Sequence, residues 1–482
     1  MRTVRVASVA VDRTAFHFDK PYDYLVPFDL TATAKEGSRV LVPFGKGNSK
    51  RQGIILSFTQ QPEVEKIKPI VSVLDNEPLL SDEMLSLARF LKEQTFCTYY
   101  DALKPLLPAG INMKIIVTYR AKDEIDDETD ETLNTDEKQI LYYLRKSRGT
   151  VERGRLLEIM GYRPDSEILE QMAKRGLIIK NDEAVRNMKD ATVKMARLCM
   201  DETEAECRID KLSDKQQSVL RLLLEVGTAS VKEICYFTGL TAGVIKTLEK
   251  KGYVELFENE VYRKPYTEVD TPVLKDIVLS TQQQTAFDGL YQQYQAKQPS
   301  AALLFGVTGS GKTQVFLKLI DEVVKSGRGV IVMVPEIALT PQTLSIFQNR
   351  YGNLISLFHS AMSLGQRMDE WKRIKNGQSK IAIGTRSAVF APFSDIGLII
   401  MDEEQEHTYK SESTPRFHAR DVARFRVNYH KSLLVLASAT PSVETYTNAD
   451  IGRYSLYQLT ERYGISVLPE VITVDMKNEQ DS

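Results

Sequence analysis

The run Gly306-Val-Thr308-Gly309-Ser-Gly311-Lys312-Thr313 has the residue types and spacing of a phosphate loop. Glycines let successive backbone N–H groups turn inward around phosphate oxygens at a helix N-terminus. A lysine brings charge to the β- and γ-phosphates, and the hydroxyl after it can reach Mg²⁺. Gly306, Thr308, Gly309, Gly311, Lys312 and Thr313 are thus candidates for holding a nucleoside triphosphate such as ATP. Further along, Asp402 and Glu403 close the apolar run GLIIM. At the C-terminal edge of a parallel sheet, where ligands bind, Asp402 suits holding Mg²⁺ together with Thr313, and Glu403 suits orienting and deprotonating an attacking water. Ser438-Ala-Thr440 follows another apolar run, LLVLA, and its hydroxyls can report the γ-phosphate state to the rest of the molecule. Two acids after a strand more often cap a helix, and S-A-T alone carries no weight. In order behind a phosphate loop they describe triphosphate hydrolysis, with Lys312, Asp402 and Glu403 as the catalytic candidates and Ser438 and Thr440 as coupling residues.

These residues need strands to end beside one another. From about Leu279 the text alternates apolar strands (ALLFGV, GVIVMVP, LISLFHS, KIAIGT, GLIIMDE, SLLVLASAT) with amphipathic helices such as TQVFLKLIDEVVKSG. That grammar predicts a parallel α/β sheet with crossover helices. Ahead of it, residues 4 to 73 carry short β-like runs broken by turn residues, the pattern of a small β-rich domain. Apolar residues at helical spacing follow, with Ser81 placed as an N-cap. The stretch AKDEIDDETDETLNT is acidic and weakly apolar, so it reads as a solvated linker. Beyond it, DEKQILYYLRKS with SEILEQMAKRGLIIK resembles SDKQQSVLRLLLEV with TAGVIKTLEKKGYVEL, an internal repeat. Each copy offers three amphipathic helices and a short strand pair after KRG or KKG, which matches a winged helix-turn-helix as well as a plain helical bundle. Lys246, Lys250 and Lys251 lie at the second copy's third helix. The expected domains are residues 1–112, a linker over 113–135, a two-copy winged-helix region over 136–268, and a phosphate-loop lobe over 269–482.

Composition restricts the classes. The chain has 482 residues, 42% hydrophobic and 27% charged, with a net charge of −2. It is long enough for roughly three domains, and bulk charge does not announce a nucleic-acid binder. The cysteines Cys97, Cys199, Cys207 and Cys235 form no C-x-x-C pair, so no zinc site is expected within these residues and a reducing compartment is. No signal peptide or membrane span is read, which predicts a cytoplasmic protein.

The words around the three motifs carry a resemblance. LSTQQQTAF, LLFGVTGSGKT, VPEIALTPQ, LFHSAMS, IAIGTRSAVFAPF, MDEE, TYK, RFHARDVA, LASATPS and LPEVITVDM resemble the PriA family of primosomal superfamily 2 helicases. YDYLVP, GSRVLVPFG and GIILSF resemble that family's DNA 3′-end-binding domain. The resemblance implies a multidomain α/β protein with one RecA-like lobe. Its implied activity is that of an ATP- and Mg²⁺-dependent 3′-to-5′ DNA helicase of replication restart. It also implies recognition of forks with a free nascent 3′ end and of single strand, with primosome and single-strand-binding proteins as partners. It makes Asp23, Gly45 and Lys68 a pocket for a 3′-terminal nucleotide, and Gln283 an adenine contact. It makes Thr385, Arg386, Arg416, Phe417, His418 and Arg420 DNA-contacting or coupling residues, although HARDVARFRVNYH reads equally as an amphipathic basic helix.

Two departures stand out. Gln405 takes the place of a histidine after Asp402-Glu403-Glu404, which puts the coupling role of that position in question. The text stops at Ser482 ahead of the family's cysteine-rich zinc region and second lobe, so this polypeptide alone is expected to bind forked DNA and nucleotide without unwinding. A non-catalytic DNA-end-binding scaffold is the alternative. A small-molecule phosphate-loop kinase would need neither the repeat nor S-A-T.

Overall fold

Seven short apolar runs become the strands of one parallel sheet in the computed structural model of the chain. The structure describes residues 5–45, 48–59, 67–108, 111, 113–122, 133–147, 149–163, 165–186, 192–200, 209, 212–226, 228–260 and 276–462. Across the sheet the strands run Ile355–Phe358, Ile381–Gly384, Gly329–Met333, Ile396–Asp402, Leu433–Ser438, Ser300–Gly306 and Ser455–Leu459. Each pairs parallel with its neighbours. The interior strands are buried at successive positions, so both faces of the sheet are covered. That is why they read as unbroken apolar runs rather than alternations. The order sets the strands ending in Asp402, in Ser438 and in the phosphate loop side by side. Asp402 lies opposite Ala437 and Phe305 opposite Ser438.

The helix Lys312–Lys325 buries Val315, Phe316, Leu317, Leu319, Ile320 and Val323 and leaves its polar residues half-buried or exposed, an amphipathic pattern that fixes how its N-terminus meets the sheet edge.

The N-terminal part is a six-stranded sheet ordered Lys68–Pro69, Tyr22–Leu25, Val6–Val11, Ser49–Thr59, Arg39–Phe44 and Ser72–Val73. Its two ends are held by one segment. Lys68 and Pro69 pair with Tyr24 and Leu25, while Ser72 and Val73 pair with Leu41 and Val40 on the opposite edge. A single short stretch therefore closes the sheet on itself, leaving few open edge groups. Ala7, Val9, Val40, Val42, Ile55 and Ile70 fill the interior. Arg39 is fully buried and donates from Nε and Nη2 to Asp75 at 2.7 Å each, and from Nη1 to the Ile111 carbonyl at 2.6 Å. The helix Asp82–Thr95 follows, capped by Ser81 as its sequence predicts.

Two compact units divide the chain. Met1–Asn187, Thr267–Met362 and Glu370–Ser482 form one, and Met188–Tyr266 with Ser363–Asp369 the other. The internal repeat has a shared element order of strand, helix, short strand, helix, helix, strand. The first copy runs from Met113–Ala121 to Ile178–Arg186, and the second from Thr192–Leu198 to Val254–Glu260. The strand pair expected after KRG and KKG is one strand in each copy, and its partner stands ahead of the helices. Ile178–Arg186 pairs antiparallel with Met113–Ala121, and Val254–Glu260 with Thr192–Leu198. Residues 113–121, expected to open the linker, are thus a strand. MKIIVTYRA is rich in β-branched and aromatic residues, which fit a half-buried pleated surface. The acidic run 123–132 lies outside the described residues, as does the closing LPEVITVDM.

Candidate functional site

Gly309 and Gly311 take φ of +80° and +79°, a backbone region that any side chain would strain. Gly311 is the N-cap of the helix Lys312–Lys325. A Cβ on Gly306 would meet Ser310 Oγ at 2.6 Å, so only glycine lets strand and loop approach this closely. Lys312 Nζ lies 2.7 Å from the Gly306 carbonyl, which turns the ammonium back over the loop's own concavity. The Ser310 hydroxyl is buried and has no hydrogen-bond partner, an open polar group inside the cradle. Thr308 is exposed and Thr313 half-buried.

Gln283, expected at an adenine, is buried with 1% of its surface exposed. Its Oε1 accepts from Ser280 N at 2.9 Å in a capping box, and its Nε2 donates to the Ser310 carbonyl at 2.8 Å. The side chain therefore braces the phosphate loop from behind. The S-x-x-Q spacing was the signal for this, since an N3 glutamine folds back onto its own helix end.

Across the sheet edge, Asp402 ends its strand and Glu403 follows in a turn at φ +45°. Burial, followed by the neighbouring charge of Glu403, pushes the Asp402 carboxyl up to about 6 against the pull of Lys312. Two adjacent carboxylates, one of them drawn toward its neutral form, favour a cation beside them. Gln405, whose coupling role the replaced histidine put in question, bonds on both sides. Its Nε2 donates to Glu403 Oε2 at 3.0 Å, and its Oε1 accepts from the Ser438 hydroxyl at 2.6 Å. Ser438 Oγ in turn accepts from Thr440 N at 2.8 Å. Glu403, Gln405, Ser438 and Thr440 thus form one continuous relay along the edge. Glu404 is buried and accepts from Ser442 N at 2.7 Å and from Thr445 Oγ1 at 2.8 Å, fastening the helix Val443–Asp450 to the same turn. Sequence reasoning missed Tyr409, whose buried hydroxyl donates to the Asp402 carbonyl at 2.6 Å.

The donor set fits Mg²⁺ with a triphosphate: a glycine cradle at a helix N-terminus, an ammonium, a threonine hydroxyl, and two adjacent carboxylates that face Lys312. Thr313 and Asp402 would hold the metal, which when bound supplies charge neutralisation at the β- and γ-phosphate oxygens. Among the described residues no group of three or more His, Cys, Asp or Glu is placed to hold a metal. Cys97, Cys199 and Cys235 are free thiols, and Cys207 lies outside the described residues.

The residues expected on DNA divide. Phe417, expected to stack on bases, is buried at 7% exposure, with its ring edge-on to Phe390 at 4.9 Å. Arg420 points inward, with Nη1 3.0 Å from Thr445 Oγ1 and 3.4 Å from Glu404 Oε2. His418 caps the helix Ala419–His430 by accepting from Arg420 N at 3.1 Å, and burial lowers its basicity. Arg386 donates to the Thr408 and Lys410 carbonyls at 3.0 and 3.4 Å. A helix begins at Ala419, as the amphipathic reading of this stretch expects, and Arg416 is exposed in the loop before it. Thr385 is half-buried at the head of the turn Arg386–Phe390.

In the barrel, Lys68 Nζ donates to the Gly45 carbonyl at 2.8 Å, joining two of the three expected pocket residues. Asp23 lies on the strand Tyr22–Leu25, one residue before the Tyr24 that pairs with Lys68.

The sequence matches the 3′DNA-binding domain family over residues 8–108 and the DEAD/DEAH box helicase family over residues 280–449. The replication restart protein PriA of Bacillus subtilis (strain 168) is 33% identical across 98% of this chain and 58% of its own length. That of Haemophilus influenzae is 30% identical across 99% of this chain and 54% of its own. Among solved structures, RecG bound to a three-way DNA junction gives a TM-score of 0.31 at 21% identity, covering 40% of this chain and 25% of that one. Among the described residues, no helix is long and apolar enough to cross a membrane. Along almost its whole length the chain is similar to the PriA replication restart proteins, and it spans a little over half the length of these relatives.

Proposed function

We propose that this chain is the end-sensing and nucleotide-holding part of an ATP-dependent 3′-to-5′ DNA helicase that recognises stalled forks with a free nascent 3′ end and starts primosome assembly. One observation carries it: the strands of the phosphate loop, of Asp402-Glu403 and of Ser438 are neighbours, and a continuous hydrogen-bonded relay runs from Glu403 through Gln405 to Ser438 and Thr440.

Lys312 meets the β- and γ-phosphates, Thr313 and Asp402 hold Mg²⁺, and Glu403 orients and deprotonates the attacking water. The relay passes the state of the γ-phosphate to the DNA side through Ser438 and Thr440. Asp23, Gly45 and Lys68 receive the 3′-terminal nucleotide, where a carboxylate can accept from a free hydroxyl and an ammonium can meet phosphate. Thr385 and Arg416 are the motor residues left to contact the strand. The two repeat copies are winged-helix modules, supported by their common element order. Primosome and single-strand-binding proteins are the partners in a cytoplasmic setting.

The test is ATP hydrolysis by the purified chain with forks carrying a 3′-hydroxyl or a 3′-phosphate. Turnover stimulated more by the free end supports the reading. Binding of both ligands without any turnover supports the scaffold instead. That second reading has an observation of its own in Phe417, Arg420 and Arg386, three of the expected DNA contacts, which are committed to internal bonds.

A further inference from the structure

Arg426 is fully buried, and its guanidinium is divided between two parts of the molecule. Nε and Nη2 grip Glu83 at 2.6 and 3.0 Å, on the helix that follows the barrel. Nη1 donates to the carbonyls of Val389 and Ala391 at 2.7 and 2.9 Å, at the end of the turn that begins with Arg386. His430 Nε2 lies 3.1 Å from Glu83 Oε2, Phe90 packs on Phe425 at 5.0 Å, and Lys375 Nζ donates to the Pro78 carbonyl at 2.6 Å. Apolar packing alone would hold such a junction at lower desolvation cost. A planar fork with all three nitrogens engaged fixes direction and register as well as contact.

The contacts continue inward. Arg386, at the start of the same turn, braces the carbonyls of Thr408 and Lys410. Between those two stands Tyr409, whose hydroxyl holds the Asp402 carbonyl. A series of contacts, joined by the Arg386–Phe390 turn and the backbone around Tyr409, therefore runs from the helix Asp82–Thr95 to the backbone of the candidate Mg²⁺ ligand.

We propose that Arg426 is a positioning residue that, through Glu83 on one side and the Val389–Ala391 carbonyls on the other, couples occupancy of the barrel's DNA-end site to nucleotide affinity at Asp402. The proposal rests on the functional reading above. Coupling of this kind is reciprocal and is measured as a ratio of affinities.

The experiment titrates the full chain with a fluescent non-hydrolysable ATP analogue and Mg²⁺, with and without saturating fork DNA bearing a free 3′ end. The wild type is expected to bind the analogue about tenfold tighter with the fork present. Arg426→Lys keeps the charge and loses the fork geometry. Its affinity for each ligand alone should stay near wild type while the ratio falls toward one. The double variant Glu83→Leu/Arg426→Met replaces the pair with apolar side chains, so it guards against the unpaired buried charge that a single truncation leaves. It should fold and show the same collapsed ratio. A wild-type ratio of one, or an unchanged ratio in both variants, overturns the coupling while leaving the functional reading intact. Equal weakening of both separate affinities in the variants marks the pair as structural and also overturns it. Absence of analogue binding in the wild type overturns the functional reading itself, and the coupling with it.

Discussion

At the scale of single residues, the chemistry proposed above falls to Lys312, Asp402 and Glu403, and its control to their neighbours. Gln405 bonds to Glu403 and Ser438 together, so Gln405→Ala should leave Mg²⁺–ATP affinity near wild type while lowering DNA-stimulated turnover about 10- to 100-fold, the usual cost of losing a residue that orients a catalytic group. Steady-state hydrolysis measured beside equilibrium nucleotide binding checks this, and unchanged turnover would sink it. Phe417 is a core residue packed on Phe390 rather than a base-stacking platform. Phe417→Ala should accordingly cost about 3 to 5 kcal/mol of stability. Urea unfolding would reveal the loss, and a variant of wild-type stability with weakened DNA binding would restore the stacking role.

At the scale of elements, the junction of Glu83 with Arg426 makes a pH-dependent contribution. Burial alone would raise the Glu83 carboxyl. Arg426, its hydrogen bonds and His430 outweigh that and hold it at about 2, below the ordinary 4.5. A carboxylate whose folded value is depressed stabilises the fold above its unfolded value and loses that contribution as pH falls through the folded one. The stabilisation, on the order of 3 kcal/mol, should therefore be complete at neutral pH and fade between about 4.5 and 2. Comparing urea midpoints of wild type and Glu83→Gln at pH 7 and pH 3 tests this. The gap between them should narrow with acid, and a constant gap would contradict it. The sequence exposed the elements that are locally specified. The phosphate loop sits between a visible strand and a visible amphipathic helix, and Ser81 announces a helix start. It did not expose partners chosen by tertiary packing. Arg426 meets Glu83, 343 residues away in sequence. Met113–Ala121 meets its long partner Ile178–Arg186 only after three helices, and Arg420 turns inward because Glu404 waits beneath it. HARDVARFRVNYH cannot show which of its arginines meets a carboxylate and which meets solvent.

At the scale of the whole molecule, a barrel closed by the segment holding Lys68 and a parallel sheet holding Lys312 belong to one compact unit. Lys68 bridges to Gly45 at the surface, so Lys68→Ala should weaken fork binding without altering the affinity for Mg²⁺–ATP measured alone. Fluorescence anisotropy with 3′-hydroxyl forks reads the first and nucleotide titration the second; loss of nucleotide binding would mean the barrel residue was acting on the fold. The central claim is that this chain holds Mg²⁺–ATP at the edge where three motif strands meet. Calorimetric titration with a non-hydrolysable ATP analogue and Mg²⁺ tests it most directly. The account predicts one site per chain, weakened about 100-fold or more by Lys312→Ala while fork affinity stays unchanged. Binding of equal strength in the variant, or no binding to the wild type, would contradict it.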